Sequence, residues 1–234
     1  MKGLLIRVGI DQTYGKWNAP VDPNTNEFVF FPIPTSASQN LGTTYKKHLD
    51  ELACFCQKRN FDSSVLNFPL TSESNTHCDP DFDYMTYGDV DSARSAPTKE
   101  LSSGDFIAFY ASLKPITPVE QHKLLYAIVG LFIIDEIVNA GDVTTARLQE
   151  NAHTRGLEIT KTDVIVRAKR GEYGLLKHCI PIGEYRNGAY RVTEALLETW
   201  GGLSVNDGWI QRSAVPPRFE NPQKFFDWFK QEIR

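Results

Sequence analysis

A chain of 234 residues, 41% hydrophobic, 12% aromatic and 23% charged, suits a single domain over 1–234 and excludes the sparse-apolar, charge-rich composition of a disordered protein. A net charge of −4 and a pI near 5.8 exclude a protein that grips duplex DNA through bulk positive charge. Cys54, Cys56, Cys78 and Cys179 are spaced too irregularly for a secreted disulfide scaffold, so free thiols are the simplest reading.

Gly3 to Ile10 reads as a strand, apolar on both faces, ending at Asp11 and a loop that carries Tyr14 and Trp17 (DQTYGKWNAPVDPNTNE). No long apolar run or small-residue cleavage site follows Lys2, so no export is expected and the cytoplasm is the default. Phe28 to Ile33 (FVFFPI) predicts a second strand, with Pro32 and Pro34 placing its end at an edge or bulge. Thr44 to Asn60 predicts a helix, because Tyr45, Leu49, Leu52 and Cys56 recur on one face; that register turns Cys56 inward and Cys54 outward.

Asp62 to Pro97 lacks a regular pattern and is rich in Ser, Asn, Asp and Pro, which suits a functional loop better than a connector. After Gly104-Asp105, the runs Phe106 to Leu113 and Leu124 to Val138 predict neighbouring antiparallel strands. The longest apolar run, Leu124 to Ile134, is shorter than the ~20 residues a bilayer requires, so no membrane partner is expected. Val164 to Ala168 predicts a strand, followed by a basic turn at Lys169-Arg170-Gly171 and a brief helix near Leu175 to Cys179.

Tyr190 to Val192 predicts a strand, and Glu194 to Trp200 a helix stopped by Gly201-Gly202. A last helix starts at Asn221 as N-cap and Pro222, with Phe225, Phe226, Phe229 and Ile233 as its apolar stripe. The order of elements implies an α+β fold: a mixed, largely antiparallel sheet or partly open barrel with peripheral helices. A Gly-Asp turn, strand, loop and strand with a central glycine is similar to the PUA-like superfamily of small β-barrels, which includes holders of modified or flipped bases.

Phosphate-binding GxxxxGK[ST], GxGxxG after a strand, HExxH, GxSxG and paired CxxC motifs are all absent, which demotes NTP hydrolysis, dinucleotide chemistry and a zinc ribbon. Between Thr71 and Asp105 eight acids face two basic residues, whereas between Arg155 and Arg191 eight Lys/Arg face four acids. The segment THCDPDFDY (76–84) holds His77, Asp79, Asp81 and Asp83. It is not an EF-hand, since Tyr84 stands where glycine is required and Val90 where a bidentate glutamate belongs. If Pro80 keeps it extended, alternate side chains point to one side and can bind a divalent ion or act as an acid/base pair. The competing reading has the aspartates capping turns through their own backbone.

Cys54, Cys56, His77 and Cys78 make a poor zinc set, because C-x-C on a helix splits the sulfurs between faces. His153, before Thr154-Arg155-Gly156, reads as a loop residue facing ligand or plain solvent, and His178 as a core or edge histidine. Lys169 and Arg170 read as phosphate contacts or solvated charges.

Several segments in order (LLIRVGIDQTYGKWNAP, FPIP, HCDPD, GDFIAFYASL and YAIVGLFIIDEI, then AHTRG, TDVIVRA and YRVT) resemble the nucleotide modification associated domain family, third type. The resemblance implies an α+β fold and a phage or bacterial base-modification context. It makes Arg7, Gly9, Asp11, His77, Asp79 and Asp81 family positions, and Asp83 particular to this chain. Val8 departs from the basic residue common in the family, which puts anion binding there in doubt.

The leading expectation is a protein that modifies or processes a nucleobase or nucleotide held in a polar pocket formed by the first loop and 76–84. Asp11, His77, Asp79 and Asp81 serve as acid/base or reading groups. Arg7, Tyr14, Trp17, His153, Lys169 and Arg170 contact the substrate. A single strand or flipped base is the expected nucleic-acid partner over naked duplex. The alternatives are a non-catalytic reader with Tyr14, Trp17 and Tyr110 stacking on the base, or a metal-dependent nuclease. No metal ligand set, cofactor, reaction or oligomeric state is assigned.

Overall fold

The structure is a computed structural model and describes residues 1–35, 42–92, 95–117, 123–156, 158–211 and 215–233. Strands β1 (Gly3–Arg7), β2 (Pro20–Val21) and β3 (Ile33–Pro34) precede helix α1 (Lys46–Lys58). Next come β4 (Thr76–His77), β5 (Thr86–Asp89), the short α2 (Ala96–Lys99) and two long strands, β6 (Phe106–Pro115) and β7 (Leu125–Asn139). One helical turn, α3 (Ala152–Arg155), precedes β8 (Val164–Pro181), and β9 (Gly183–Arg186), β10 (Ala189–Val192), α4 (Glu194–Trp200) and α5 (Pro222–Glu232) complete the chain.

The main sheet runs β1-β6-β7-β8-β5, with β2 also on β6. Strands β5 to β8 pair antiparallel and β1 and β2 lie parallel to β6. The fold is thus α+β with a mixed, largely antiparallel sheet; the sheet is open, not a closed barrel.

Both sheet faces are buried, which explains why β6 and β7 read as unbroken apolar runs. Strand periodicity sends Ile107, Phe109 and Ala111 into a core shared with α1, Trp17 and Phe31, while Phe106, Ala108 and Tyr110 enter a second core with α4 and α5. On α1, Tyr45, Leu52 and Cys56 are buried and Cys54 is exposed, as the helical register requires. Asn221 caps α5 by accepting the Lys224 N–H at 3.2 Å. Phe225 and Phe229 are buried under α5, but Ile233, at its C-cap, is exposed.

Three expected elements differ. Val29, Phe30 and Phe31 are buried but form no regular strand; only an isolated bridge at Phe28 and the two-residue β3 pair there, because Pro32 and Pro34 cannot donate to a ladder. Lys169-Arg170-Gly171 is no turn and Leu175 to Cys179 no helix: both lie within the 18-residue β8. The long β7 holds β8 along its length, and the register shifts absorb positive-φ Gly171, Tyr173 and Gly174 without reversing the chain. Inside the irregular stretch from Asp62 to Pro97, Thr86 to Asp89 joins the main sheet beside β8.

Gly130, at the centre of β7, ties this sheet to 76–84. A Cβ there would meet the Phe82 ring at 2.6 Å and the Gly174 oxygen at 2.8 Å. Phe82 therefore lies directly on the sheet, edge-on to Phe109, Phe132 and Phe30. Gly130→Ala is expected to lower unfolding free energy by about 1–3 kcal/mol through overpacking, measured by urea denaturation.

Candidate functional site

Chain 76–84 does not stay extended. The Asp79-Pro80 peptide is cis, and Asp81 and Thr86 close a turn through paired backbone hydrogen bonds of 2.8 and 3.0 Å. Asp81 Oδ1 accepts the N–H groups of Asp83 and Tyr84 at 3.0 and 2.9 Å, so Asp81 caps its own turn. Its Oδ2 accepts from Arg155 Nη2. Asp79 points elsewhere, its Oδ1 accepting the Gly88 N–H at 2.6 Å and the Asn151 amide at 3.4 Å. Asp83 is exposed and pairs with Lys47.

Helix α3 matches this split. Residues two apart on a helix face apart, so His153 reaches Asp79 and Arg155 reaches Asp81. Asn151 starts the turn by accepting the His153 N–H at 2.9 Å. Glu150 anchors the preceding chain to the sheet, bound to Arg167 at 2.5 Å and to Arg147 at 2.7 Å. Thr86 Oγ1 donates to the Glu150 carbonyl at 2.5 Å. Of the acidic middle and the basic stretch after it, Asp81 and Arg155 meet here as an ion pair, whereas Arg167 pairs with Glu136 and Glu150 and Asp83 with Lys47.

Around His153 a compact polar cluster forms. Nδ1 lies 2.7 Å from Asp163 Oδ2, and Nε2 lies 3.5 Å from Asp79 Oδ2. His77 Nε2 is 4.0 Å from the same Asp79 oxygen, and the two imidazoles meet edge to face. Burial opposes charge on His153, but the carboxylates of Asp79 and Asp163 outweigh it and raise its pKa to about 9. For His77 burial wins over Asp79, and the cations at His153 and Arg155 add to it, so its pKa falls below the ordinary value. Gly88 admits this packing, since a Cβ would meet His153 Cδ2 at 2.3 Å.

On the other side of the same segment lies a cleft of about 770 Å³. Its walls include Phe30, Lys46, Lys47, His48 and Glu51 from one side, and Cys78, Pro80, Asp81, Phe82, Tyr84 and Arg155 from the other. Tyr84 is 43% exposed and lies under the Arg155 guanidinium at 5.2 Å. Two lining residues hold buried polar atoms without hydrogen-bond partners among the described residues, Arg155 Nη1 and His48 Nδ1, the latter 3.8 Å from Glu51 Oε2. Burial and the Lys47 charge push His48 down to about 4, although the Phe30 backbone and Asp83 oppose the shift. A neutral His48 carries one acceptor nitrogen, and Arg155 offers a donor.

Of the residues expected from sequence, Asp81 lies on the cleft wall and His77, Asp79 and His153 gather behind it. Asp11 resembles Asp81 in its local role: Oδ1 accepts from Thr13 and Tyr14 N–H at 2.6 and 2.7 Å, and Oδ2 pairs with Arg7 at 2.8 Å. Neither Arg7 nor Asp11 lines the cleft. Tyr14 is exposed on the first loop, whereas Trp17 is core, its Nε1 donating to the Leu66 carbonyl at 2.7 Å. Tyr110 is also buried and donates to the Ile210 carbonyl at 2.7 Å. Lys169 and Arg170 sit on β8 away from the cleft, and exposed His178 bonds the Thr25 carbonyl. Arg155, Asp163, Asn151, Gly88 and His48 are added by the structure; the AHTRG and TDVIVRA segments held two of them, Arg155 and Asp163.

Fold and site together define an α+β domain with an open sheet, a mixed polar and aromatic cleft and a His/Asp cluster behind its wall. Residues 2–214 match the family described as nucleotide modification associated domain 3, and the chain belongs to that family. Comparison with curated proteins gives no match. Among solved structures the chain is similar to the N-terminal domain of Thermococcus Gammatolerans McrB bound to m5C DNA, over 100% of both chains. At 13% identity and a TM-score of 0.36, that likeness carries neither fold nor ligand across. No helix of the described residues is long and apolar enough to cross a membrane.

Asp81→Ala is expected to destabilise by about 3–5 kcal/mol, because it strands the buried Arg155. Arg155→Met costs less, since Asp81 keeps two backbone donors, and a double-mutant cycle by urea denaturation reads a coupling of at least about 1 kcal/mol. His48 supplies a pH test. Its folded pKa of about 4 lies below the ordinary 6.5, so between these values the unfolded chain binds more protons and stability falls as pH is lowered. The wild type should lose up to about 3 kcal/mol more than His48→Gln across that window, and the two should run parallel above it.

Proposed function

We propose that the chain binds a nucleobase or nucleotide in the cleft between α1 and the 76–84 segment. The observation that carries the reading is the cleft's lining: a volume of about 770 Å³ suits one nucleotide-sized ligand, and exposed Tyr84 stands beside an arginine with an unsatisfied amino group. The base stacks on Tyr84, and its edge pairs with the Arg155 donor and the His48 acceptor, with Asp81 holding Arg155 in place. Leaving Arg155 Nη1 desolvated without an acceptor costs about 1–3 kcal/mol, which a carbonyl or ring nitrogen of a base offsets.

Phosphate sits at the start of α1. Lys46 and Lys47 line the cleft there, the N-cap residue Tyr45 makes no side-chain cap bond, only a long 3.4 Å contact from Thr44 Oγ1 meets the Lys46 N–H, and no acid occupies the first turn. This takes over the phosphate role that the sequence suggested for Lys169 and Arg170. A concave pocket on a protein of net charge −4 suits a free nucleotide, a single strand or a flipped base better than naked duplex. Membership of a nucleotide modification associated family supports the ligand class. Reading, not turnover, is the function favoured, because His77 and Asp79 lie outside the cleft lining.

Calorimetric titration with nucleosides, their monophosphates and short single-stranded DNA of modified and unmodified bases tests this. Saturable binding is expected, and Tyr84→Ala should weaken it by roughly 5- to 150-fold, equivalent to about 1–3 kcal/mol of stacking. Its stability should stay within about 0.5 kcal/mol of wild type, as expected at an exposed site. Absence of saturable binding, or unchanged affinity in Tyr84→Ala, overturns the proposal.

A further inference from the structure

Behind the cleft wall, His77 and Asp79 of the 76–84 segment converge with His153 of α3. Their potential ligand atoms, one from each residue, all lie within 4.8 Å of one another. Asp79 Oδ2 stands 3.5 Å from His153 Nε2 and 4.0 Å from His77 Nε2. These separations are longer than good hydrogen bonds, and lie a little above the ~3.3 Å edge of a tetrahedron with bonds of ~2.0–2.1 Å. Small rotations of the His77 ring, whose side chain is 24% exposed and the least enclosed of the three, close the difference.

We propose that His77, Asp79 and His153 bind one divalent first-row transition-metal ion. Two imidazoles and one carboxylate are a borderline nitrogen and oxygen set, which suits such an ion better than calcium or magnesium. Asp79 and His153, the two more enclosed ligands, are each already oriented through their other polar atom. Asp163 holds His153 Nδ1 at 2.7 Å and so turns Nε2 toward the site. Gly88 N–H and the Asn151 amide occupy Asp79 Oδ1 and leave Oδ2 facing the imidazoles. Such outer partners fix ring tautomer and ligand direction at metal centres. A Cβ on Gly88 would strike both His153 and Asn151, so the glycine keeps the site's floor clear.

Three protein ligands leave room for water or another donor on the partly exposed His77 side. The site goes beyond the cleft: His77, Asp79 and His153 do not line it, while their neighbours Cys78, Pro80, Asp81 and Arg155 do. A metal at this place would brace α3 against the segment that forms the cleft wall.

The test uses the untagged full chain, stripped with chelator and titrated with Zn2+ and with Co2+. One ion per chain is expected, with Co2+ giving visible ligand-field bands and no near-ultraviolet thiolate band. His77→Ala, at the most exposed ligand and checked for folding by circular dichroism, should lose stoichiometric uptake. Asp163→Asn should weaken affinity by roughly 10- to 100-fold. Tyr84→Ala should bind metal as the wild type does, which separates this site from the cleft. Uptake below one ion per chain, a thiolate band from Cys54, Cys56 or Cys78, or unchanged affinity in folded His77→Ala overturns the proposal.

Discussion

The grip of α3 on the 76–84 segment organises this molecule. Within three residues, α3 sends a histidine and an arginine to opposite sides, and within three residues the segment does the same with two aspartates. The Arg155 side chain is 2% exposed and Asp81 is buried, so neither charge can be left without the other. This pairing closes one wall of the cleft and leaves His153 against Asp79 on the reverse side.

Packing supplies the precision that the charges need. Phe82 pins the segment to the sheet over Gly130, and Gly88 lets His153 and Asn151 approach β5 closely. Arg167 on β8 holds Glu150 just before α3, so the turn of helix inherits the rigidity of the main sheet. A one-turn helix has little stability of its own. Its place comes from these tertiary contacts, and the chemistry on both sides of the wall follows from that place.

Asp11 and Asp81 show how one local pattern serves different settings. Each accepts two backbone N–H groups from the turn that follows it and pairs with an arginine. Turn capping, the competing sequence reading for the aspartates of 76–84, describes Asp81, and it describes Asp11 as well, for which it was not expected. Only Asp81 stands on the cleft, because its arginine arrives from α3; the partner of Asp11 is Arg7, four residues before it on β1. Asp79, one proline away from Asp81, caps nothing in its own turn and faces the histidines instead.

Local signals were sufficient for β6 and β7, which are continuous apolar runs buried on both faces, for α1 and α5, whose buried residues recur on one helical face, and for α4, which Gly201-Gly202 stops. Residue chemistry and the family resemblance, not periodicity, drew attention to His77, Asp79 and Asp81, and loop position to His153. Turn chemistry misjudged β8, where glycines and basic residues look like a turn but the long neighbouring strand keeps the chain extended. Pairing between Asp81 and Arg155 spans 74 positions, and that between His153 and Asp163 depends on β8 bringing its first residues beside β5. No spacing rule encodes such contacts. By itself the sequence determined the class of fold, the family and the polar segment; the tertiary structure alone decided which side chains share a face, because that choice rests on sheet order and on burial of charge.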